Sequence, residues 1–422
     1  MFFLTGTLVG LSRTSEESGS NILFSSGVVD VAKLFQSGGT CTAWVKYFGQ
    51  LLRCQMRKKH TTIGPFRSVL GVVLAIIVGC LGCSGDKTTG LKPEQHVFFP
   101  SPPEIPRVQF LHNFHSSEDF ASKRSGLAEF IAGEEIDKYK TISKPYGIAV
   151  SGGKVFVADT TSASIAVIDF AEQSFETFGQ TGPGALRKPI NVRFGPSGKL
   201  YVADTLRNQI VVFDTDGNYI TEYGTGKEFK PADVVVTEEE LFVLDIASHS
   251  IHVYDLQTHQ LKRSFGKRGK GFGEFNYPTN MVMDAQEFIN VCDSMNLRVQ
   301  RIDRNGKTSF LFGKPGVTPG HFSRPRGIAV DRDGITYIAD ARLGIVQLFD
   351  PEGKALMYLG GTGTEDGQLY LPAQVVISYD IAEPFRKYIA PNFEPEYLVF
   401  VTNQLGPNKV SIFAFGKGPA SA

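Results

Sequence analysis

The chain has 422 residues, of which 42% are hydrophobic and 20% are charged, a composition typical of a globular protein that excludes a disordered chain and a polytopic membrane protein. Lysines plus arginines equal aspartates plus glutamates at 43 each. Residues 1–80 hold eight basic and three acidic side chains. The rest of the chain is therefore mildly acidic, which disfavours nucleic acid as a partner.

The sequence predicts an export signal that begins inside the chain. Three basic residues at positions 57–59 follow Met56, and an apolar run spans residues 69–78. These are the proportions of a secretory signal, because the run is too short to cross a bilayer of about 30 Å. Since signals act from the amino terminus, we expect translation to start at Met56 and residues 1–55 to be an upstream extension.

The end of the signal carries a more specific motif. "IVGC", residues 77–80, resembles the bacterial lipobox, whose cysteine receives a lipid. Cys80 is the predicted lipidation site and Cys83 the alternative, while an uncleaved signal anchor stays open. The resemblance implies a lipid anchor in the bacterial cell envelope, on the periplasmic or cell-surface side. Residues 56–80 are then the signal, and the polar, proline-rich residues 81–106 an extended spacer.

A repeat fills most of the chain after the spacer. Prolines recur at intervals of 44, 42, 47, 47 and 47 residues, and a short apolar strand follows each: Pro145, Pro189, Pro231, Pro278, Pro325 and Pro372. Two more strands and, in most copies, a fourth follow, joined by glycine turns such as "PSGK". Four short strands in about 45 residues predict one blade of a β-propeller. The fold class is therefore all-β, a six-bladed propeller over residues 107–418 with a short tail at 419–422.

The sequence also predicts how the ring closes. The sixth repeat ends after its third strand, "KVSIFAFG", whereas "RVQFLHNF" at residues 107–114 precedes the first repeat and is similar to the fourth strands. We expect this early segment to complete the last blade, because a blade has one face uncovered until its neighbour packs on it.

The second strand of every repeat ends on a side chain that can accept hydrogen bonds. The six residues are Asp159, Asp204, Asp245, Asp293, Asp340 and Asn403. A carboxylate at a strand end can accept from the N–H groups of the next turn, so we interpret these residues as turn caps. A ring of aspartates that binds cations is the competing interpretation.

At this point the residues show a family resemblance. "KPINVRFGPSGKLYVADTLRNQIVVFDTDGNYITEYG" and "RPRGIAVDRDGITYIADARLGIVQLFD" resemble the NHL repeat, and the resemblance covers about residues 107–418. It implies a module that binds proteins or ligands. A WD-type propeller is disfavoured, because the only tryptophan, Trp44, lies outside the repeats.

The candidate ligand site lies where the innermost strands begin. The residue two positions after each proline is Gly147, Asn191, Asp233, Asn280, Gly327 or Gln374. The four polar members, Asn191, Asp233, Asn280 and Gln374, could hold a small polar ligand or Ca²⁺, which prefers oxygen donors. A water-filled polar channel is the simpler interpretation, and we expect no resident cofactor.

Catalysis is the minority expectation. Propeller lactonases use a similar oxygen-rich site, which leaves a hydrolase or lyase with a divalent cation as the alternative function. Amidating lyases related to this repeat hold zinc with histidines from separate blades, whereas His249, His252 and His259 crowd one repeat here. We expect His249 and His252 to be surface residues and Cys292, in mid-strand, to be a buried and inert thiol.

The sixth repeat carries an insertion between its first and second strands. Tyr379, Phe385, Tyr388 and Phe393 concentrate aromatic side chains there, and we predict an exposed loop that anchors a partner. Packing over the neighbouring blade is the open alternative. The sequence thus predicts a lipid-anchored envelope propeller that acts as a binding or scaffolding module. Its expected partner is an unknown envelope protein or small ligand, its lipid attaches it to the membrane, and no nucleic acid is expected.

Overall fold

The computed structural model describes residues 96–120, 139–224, 229–380 and 383–418, together with the backbone of three short strands nearer the start. Those strands, β1 (Arg13–Thr14), β2 (Asn21–Phe24) and β3 (Gly27–Asp30), form an antiparallel sheet within the first compact unit, Met1–Lys92. The second unit, Pro93–Ala422, contains everything described below. Among the described residues, no helix has the length and apolarity that a bilayer crossing requires.

The second unit is a six-bladed β-propeller, as the repeat predicts. Five blades are antiparallel sheets of four strands in chain order. Blade 1 is β6 (Pro145–Ser151), β7 (Lys154–Asp159), β8 (Ser164–Asp169) and β9 (Ser174–Phe178). Blade 2 is β10 (Pro189–Phe194), β11 (Leu200–Asp204), β12 (Gln209–Phe213) and β13 (Tyr219–Tyr223). Blade 3 is β14 (Pro231–Val236), β15 (Glu240–Asp245), β16 (Ser250–Asp255) and β17 (Leu261–Phe265).

The remaining blades follow the same plan. Blade 4 is β18 (Asn280–Met283), β19 (Ile289–Asp293), β20 (Arg298–Ile302) and β21 (Thr308–Phe312). Blade 5 is β22 (Pro325–Val330), β23 (Thr336–Asp340), β24 (Ile345–Phe349) and β25 (Ala355–Gly360). Blade 6 is β26 (Pro372–Ser378), β27 (Glu394–Asn403) and β28 (Val410–Lys417), completed by β5 (Val108–Phe114) and β4 (Phe98–Phe99). A single turn of helix, α1 (Glu383–Arg386), lies in the insertion of blade 6.

The closing strand predicted from the sequence is confirmed. β5 pairs antiparallel with β28, with Phe114 opposite Val410 and Val108 opposite Phe415. The innermost strands contact one another in sequence around the ring, and β26 of the last blade contacts β6 of the first. The ring is therefore closed by two strands from opposite ends of the propeller sequence.

The core lies between blades rather than in one central mass. The described residues form six clusters of buried apolar side chains, and each cluster joins two neighbouring blades. Blades 1 and 2, for example, meet through Phe156, Val192 and Phe213. Because every blade buries its faces only against its neighbours, the stability of each depends on the ring being intact.

The prediction of an extended spacer over residues 81–106 is wrong for part of that range. β4 pairs with the outer edge of β5, with Phe98 opposite Gln109, and so adds a fifth strand to blade 6. Val97 and Phe99 pack on the apolar cluster between blades 5 and 6. Residues 97–99 therefore belong to the propeller and are not an extended linker, because their apolar side chains cover the last sheet edge.

An ion pair within blade 3 makes stability depend on pH. Glu240 accepts from both terminal nitrogens of Arg263, at 2.6 and 2.9 Å, and lies 2.9 Å from Lys262 Nζ. These hydrogen bonds, that of Arg263 first, lower the pKa of Glu240 to about 2 from an ordinary 4.5. A depressed carboxyl pKa stabilises the fold fully above the unfolded value, and this contribution is lost as the pH falls from 4.5 toward 2.

We therefore expect Glu240→Gln to lower the melting temperature at neutral pH and to lower it less at pH near 2. Melting followed by circular dichroism across this range measures the difference. Glu287→Gln is the control, because Glu287 is 69% exposed in its pair with Arg304 and exposed pairs contribute little. A constant gap between wild type and Glu240→Gln at every pH would contradict the assignment.

Candidate functional site

The strand-end carboxylates are buried and accept backbone hydrogen bonds. Asp204 accepts from Leu206 and Arg207 in the turn that follows, at 3.1 and 2.9 Å. It also accepts from Arg187 and Lys188 at 2.6 and 2.9 Å, in the connection that leads into its own blade. Asp204 thus links a turn to an inter-blade connection. The turn-cap interpretation included the contacts with the turn but not those with the connection.

The other strand-end positions vary this arrangement. Asp159 accepts from four corresponding backbone N–H groups, two in the connection and two in the turn. Burial alone would raise its pKa, but hydrogen bonds, that of the Ser162 side chain first, lower it. Asp245 and Asp340 also combine connection and turn N–H groups. Asp293 accepts from the Asn276 N–H of the connection at 2.6 Å and also from the guanidinium of Arg298 at 2.8 Å. Asn403 accepts from the backbone N–H at position 370, at 3.1 Å, and donates to a serine hydroxyl of β28.

The four polar residues predicted at the channel lie together, and the three amides among them are hydrogen-bonded to one another. The Asn280 side-chain amide is oriented so that its oxygen faces the two amide nitrogens. This oxygen accepts from Asn191 Nδ2 at 2.8 Å and from Gln374 Nε2 at 3.1 Å. All four side chains are at most 1% exposed. A methyl group at Gly147 would collide with Asn191 and one at Gly327 with Gln374. The two glycines thus make room for the amides of the next blade.

Asp233 is held by a residue that sequence reasoning missed. Arg193 of β10 donates to both carboxylate oxygens, from Nε at 3.2 Å and Nη2 at 3.0 Å, and also to the carbonyl of Met281 at 3.2 Å. Asp233 further accepts from Met281 N–H at 2.9 Å. This group, Arg193, Asp233, Asn191, Asn280 and Gln374, is called the channel network. It joins blades 2, 3, 4 and 6 across the axis.

Breaking the channel network is expected to be costly. Asp233→Ala leaves the Arg193 charge, only 14% exposed, without its carboxylate, and losing one partner of a buried pair costs about 3–5 kcal/mol. Adding Arg193→Ala should recover part of this loss in the free energy of unfolding, measured by urea denaturation. If the loss of unfolding free energy in the double variant equals the sum of the losses in the two single variants, the contact between Asp233 and Arg193 is contradicted.

Above the channel network lies a cationic mouth. Arg326 of β22 reaches across blade 6, donates to Gln404 at 2.8 Å and lies over the ring of Tyr146 in blade 1, 5.6 Å from its centroid. The charge of Arg326 lowers the pKa of Arg324, because the two cations repel each other. Burial raises the pKa of the Tyr146 phenol, against the effect of Arg326.

Further cations surround this centre. The residue before the inner-strand proline is Lys144, Lys188, Lys230 or Arg324 in four of the six blades, and all four side chains are exposed. We call the end of the propeller formed by the inter-blade connections and the turns between second and third strands the mouth face. The opposite end is called the turn face. Sequence reasoning recorded the prolines but missed the basic residue before them, which was a visible signal.

The predicted partner loop is largely buried. Phe385 is 1% and Phe393 4% exposed, so the prediction of an exposed aromatic loop is wrong for both. Phe385 packs on Phe170 of blade 1, with ring centroids 4.7 Å apart. Tyr388 stacks on His112, and its backbone carbonyl accepts from a glutamine of β5. The insertion covers the seam between blades 6 and 1, because its apolar side chains fill space there.

Tyr379, the fourth aromatic residue of that loop, is half-buried. Its hydroxyl accepts from Arg332 N–H at 2.8 Å, and its ring lies under the Arg332 guanidinium, 3.8 Å away. Tyr379 thus joins the insertion to blade 5. The side chains that were expected to meet a partner contact other parts of the propeller instead.

One histidine of blade 3 lies in a serine–histidine–aspartate row. His252 Nδ1 is 2.7 Å from Ser264 Oγ, and its Nε2 is 3.3 Å from Asp245 Oδ2. Burial alone would raise the pKa of Asp245, but hydrogen bonds from His252 and Ser248 lower it to about 2. The row runs across the second, third and fourth strands of the blade, and Asp245 already accepts from two backbone N–H groups. It therefore has the contacts of a structural network. The neighbouring His249 is buried, so the prediction that it is a surface residue is wrong.

The predictions for the cysteines and for metal binding have different outcomes. Cys292 is fully buried, and burial raises the pKa of its thiol to about 12. Cys80 and Cys83 lie outside the described residues, as do the boundaries at residues 55 and 80. Within the described ranges, no three histidine, cysteine, aspartate or glutamate residues are grouped so that they could hold a metal ion.

Comparison with known proteins supports the fold. The DUF5128 family model, described as a 6-bladed beta-propeller, matches residues 185–263. Solved structures that are similar to this chain include virginiamycin B lyase from Staphylococcus aureus, at 16% identity and a TM-score of 0.45 over 65% of this chain and 96% of that one. A gluconolactonase from Xanthomonas campestris has 12% identity and a TM-score of 0.48 over 76% of this chain and 97% of that one.

A third similar structure is an auxiliary nutrient binding protein from Bacteroides thetaiotaomicron. It has 10% identity and a TM-score of 0.49 over 65% of this chain and 70% of that one. None of the three likenesses carries an argument about what this chain does.

Proposed function

We propose that this chain is a lipid-anchored propeller of the NHL-repeat type that binds a partner at the bacterial cell envelope and catalyses no reaction. The observation that carries the proposal is that the buried carboxylates of the mouth and channel already have hydrogen-bond partners within the protein. Asp233 is paired with Arg193, and Asp159 and Asp204 accept backbone N–H groups. What the mouth offers to solvent is a set of cations on a rigid ring, which suits binding.

The envelope location rests on the sequence before the propeller. Cys80 lies in a motif similar to a lipobox and follows a signal-like segment. Metabolic labelling with a fatty acid tests this: label lost in Cys80→Ser and kept in Cys83→Ser supports the anchor at Cys80. Equal labelling of wild type and both single variants would contradict either site.

Hydrogen exchange tests the binding function. The full chain is incubated with detergent-solubilised envelope extract, and the exchange of its backbone amides is followed by mass spectrometry. Protection confined to the mouth-face connections, residues 266–279 and 313–324, is expected, whereas the turn-face hairpins around residues 214–218 and 303–307 stay unchanged. An unchanged exchange pattern everywhere, or protection of the turn face alone, would contradict the proposal.

A propeller hydrolase or lyase is the second candidate. It is favoured by the convergence of oxygen-bearing side chains in the channel network, where a divalent cation could sit if Arg193 moved away. Calorimetry with Ca²⁺ tests it, with Asp233→Asn as the matched variant. Binding heat that disappears in Asp233→Asn, together with lactone turnover by the wild type, would replace the binding function with this one.

A further inference from the structure

The two ends of the propeller differ in charge. The described connections of the mouth face, together with its turns between second and third strands, hold thirteen lysines and arginines against five aspartates and glutamates, so this end is strongly basic. The strand-end aspartates do not offset it at the surface, since they are buried beneath it. The turn face carries exposed acidic residues in its hairpins, such as Glu172, Asp216, Glu238 and Glu352. A mildly acidic body therefore presents one basic end.

The same basic end carries protruding apolar side chains. Phe272 and Val317 lie in inter-blade connections and are 77% and 67% exposed, and Met295, Leu206 and Leu405 lie in turns between second and third strands. These five come from different sectors of the ring. By contrast, the described hairpins of the turn face contain none of the large exposed apolar side chains.

The arrangement differs from a typical protein interface. There, apolar side chains gather into one contiguous central patch. Here they stand apart on loops around the rim, with Arg207 next to Leu206, and Arg268 and Lys270 close to Phe272 in sequence. A surface that is broad, flat, anionic and apolar just below its charges can contact all of these loops at once. An anionic bilayer has those properties, since it attracts lysine and arginine at its surface and accepts apolar side chains at the acyl boundary.

We propose that the mouth face docks on a membrane surface rich in anionic phospholipid. In this arrangement Phe272 and Val317 enter the interface, while Lys144, Lys188 and Arg324 meet headgroup phosphates. The guanidinium of Arg326, held over a tyrosine ring and by a glutamine, is positioned to bind one phosphate at the centre of the ring. This inference rests on the proposed envelope function and names the partner of the mouth face.

The test places a fluorescent reporter on each end of the full chain. Trp44, the only tryptophan, is replaced by phenylalanine, and Phe272→Trp provides the mouth-face reporter. Leu261→Trp provides the turn-face reporter as the matched control, because Leu261 is 52% exposed on the outer strand of blade 3 near the turn face. Vesicles of phosphatidylglycerol and phosphatidylethanolamine that contain brominated lipid are then added.

Quenching and a blue shift of the mouth-face reporter with no change of the turn-face reporter are the expected result. Phosphatidylcholine vesicles, or about 1 M salt, where the Debye length is about 3 Å, should abolish the change. The triple variant Lys144→Glu, Lys188→Glu, Arg324→Glu should weaken partitioning at least about 100-fold. The matched triple variant on the turn face, Lys199→Glu, Lys307→Glu, Lys354→Glu, should leave it unchanged.

Several outcomes would overturn the inference. Quenching of both reporters would show that the leader alone binds the vesicle, and quenching that survives charge reversal would remove the role of the cations. If the mouth-face reporter stays exposed on vesicles but is shielded by a protein or a soluble polyanion, the mouth face has another partner. In that last case the binding function stands and only the membrane as its partner falls.

Discussion

Deletion of residues 107–116 is expected to abolish the cooperative unfolding of the propeller. This segment contains β5, which supplies the fourth strand of blade 6 and joins the two ends of the propeller sequence. Its Val108 and Phe114 side chains are fully buried, in the clusters that join blade 6 to blade 5 and to blade 1. Without it, β28 becomes an open edge, and neighbouring blades lose apolar cover on both sides.

Differential scanning calorimetry measures this effect. We expect the single transition of the wild type to be replaced by a broad, low-enthalpy transition or by aggregation on heating. Phe114→Ala is the graded control: it removes one buried aromatic side chain, leaves the closing strand in place, and should cost about 3–5 kcal/mol while one transition is kept. An unchanged melting transition in the deletion variant would contradict closure by β5.

Asp204→Ala is expected to lower the free energy of unfolding by about 4 kcal/mol. The side chain is fully buried and accepts four backbone N–H groups, two in the connection before β10 and two in the turn after β11. Removing it leaves these donors without a partner, and each buried unsatisfied group costs about 1–3 kcal/mol, although water that enters near the surface reduces the sum.

Asp214→Ala supplies the matched comparison for that measurement. Asp214 also accepts backbone N–H groups, from Asp216 and Asn218, but in an exposed hairpin where water can replace it. Its loss should cost about 1 kcal/mol or less. Urea denaturation of both variants gives the two free energies. Equal costs for the two substitutions would show that burial of the strand-end aspartate is not what makes it important.

The sequence predicted the blades because their signals are local. Each signal determines the structure of only the few residues around it: a proline before an inner strand, a glycine turn, or an aspartate at a strand end. Closure was predictable for a related reason, since a sixth repeat without a fourth strand and an extra strand before the first repeat are complementary. The four polar residues of the channel network were also visible, because each follows its proline by the same two positions.

Other features depend on distances across the ring that a sequence does not contain. Arg193 meets Asp233 of the next blade and Met281 of the blade after it, and nothing in its own strand indicates this. The insertion with Phe385 and Phe393 contained enough apolar side chains either to anchor a partner or to cover a seam. Net charge, being a sum over the whole chain, concealed the separation of a basic and an acidic end.

The closed ring is the claim on which the site and both proposals depend, and a disulfide can test it. Asn113 of β5 and Ser411 of β28 are paired residues whose side chains are hydrogen-bonded at 2.7 Å. In a variant whose five natural cysteines are replaced by alanine, Asn113→Cys with Ser411→Cys should form an intramolecular disulfide nearly completely and raise the melting temperature. Gln109→Cys with Ser411→Cys, whose positions are not paired in the register of the two strands, should not form one. Equal cross-linking of both pairs, or none in either, would contradict the ring.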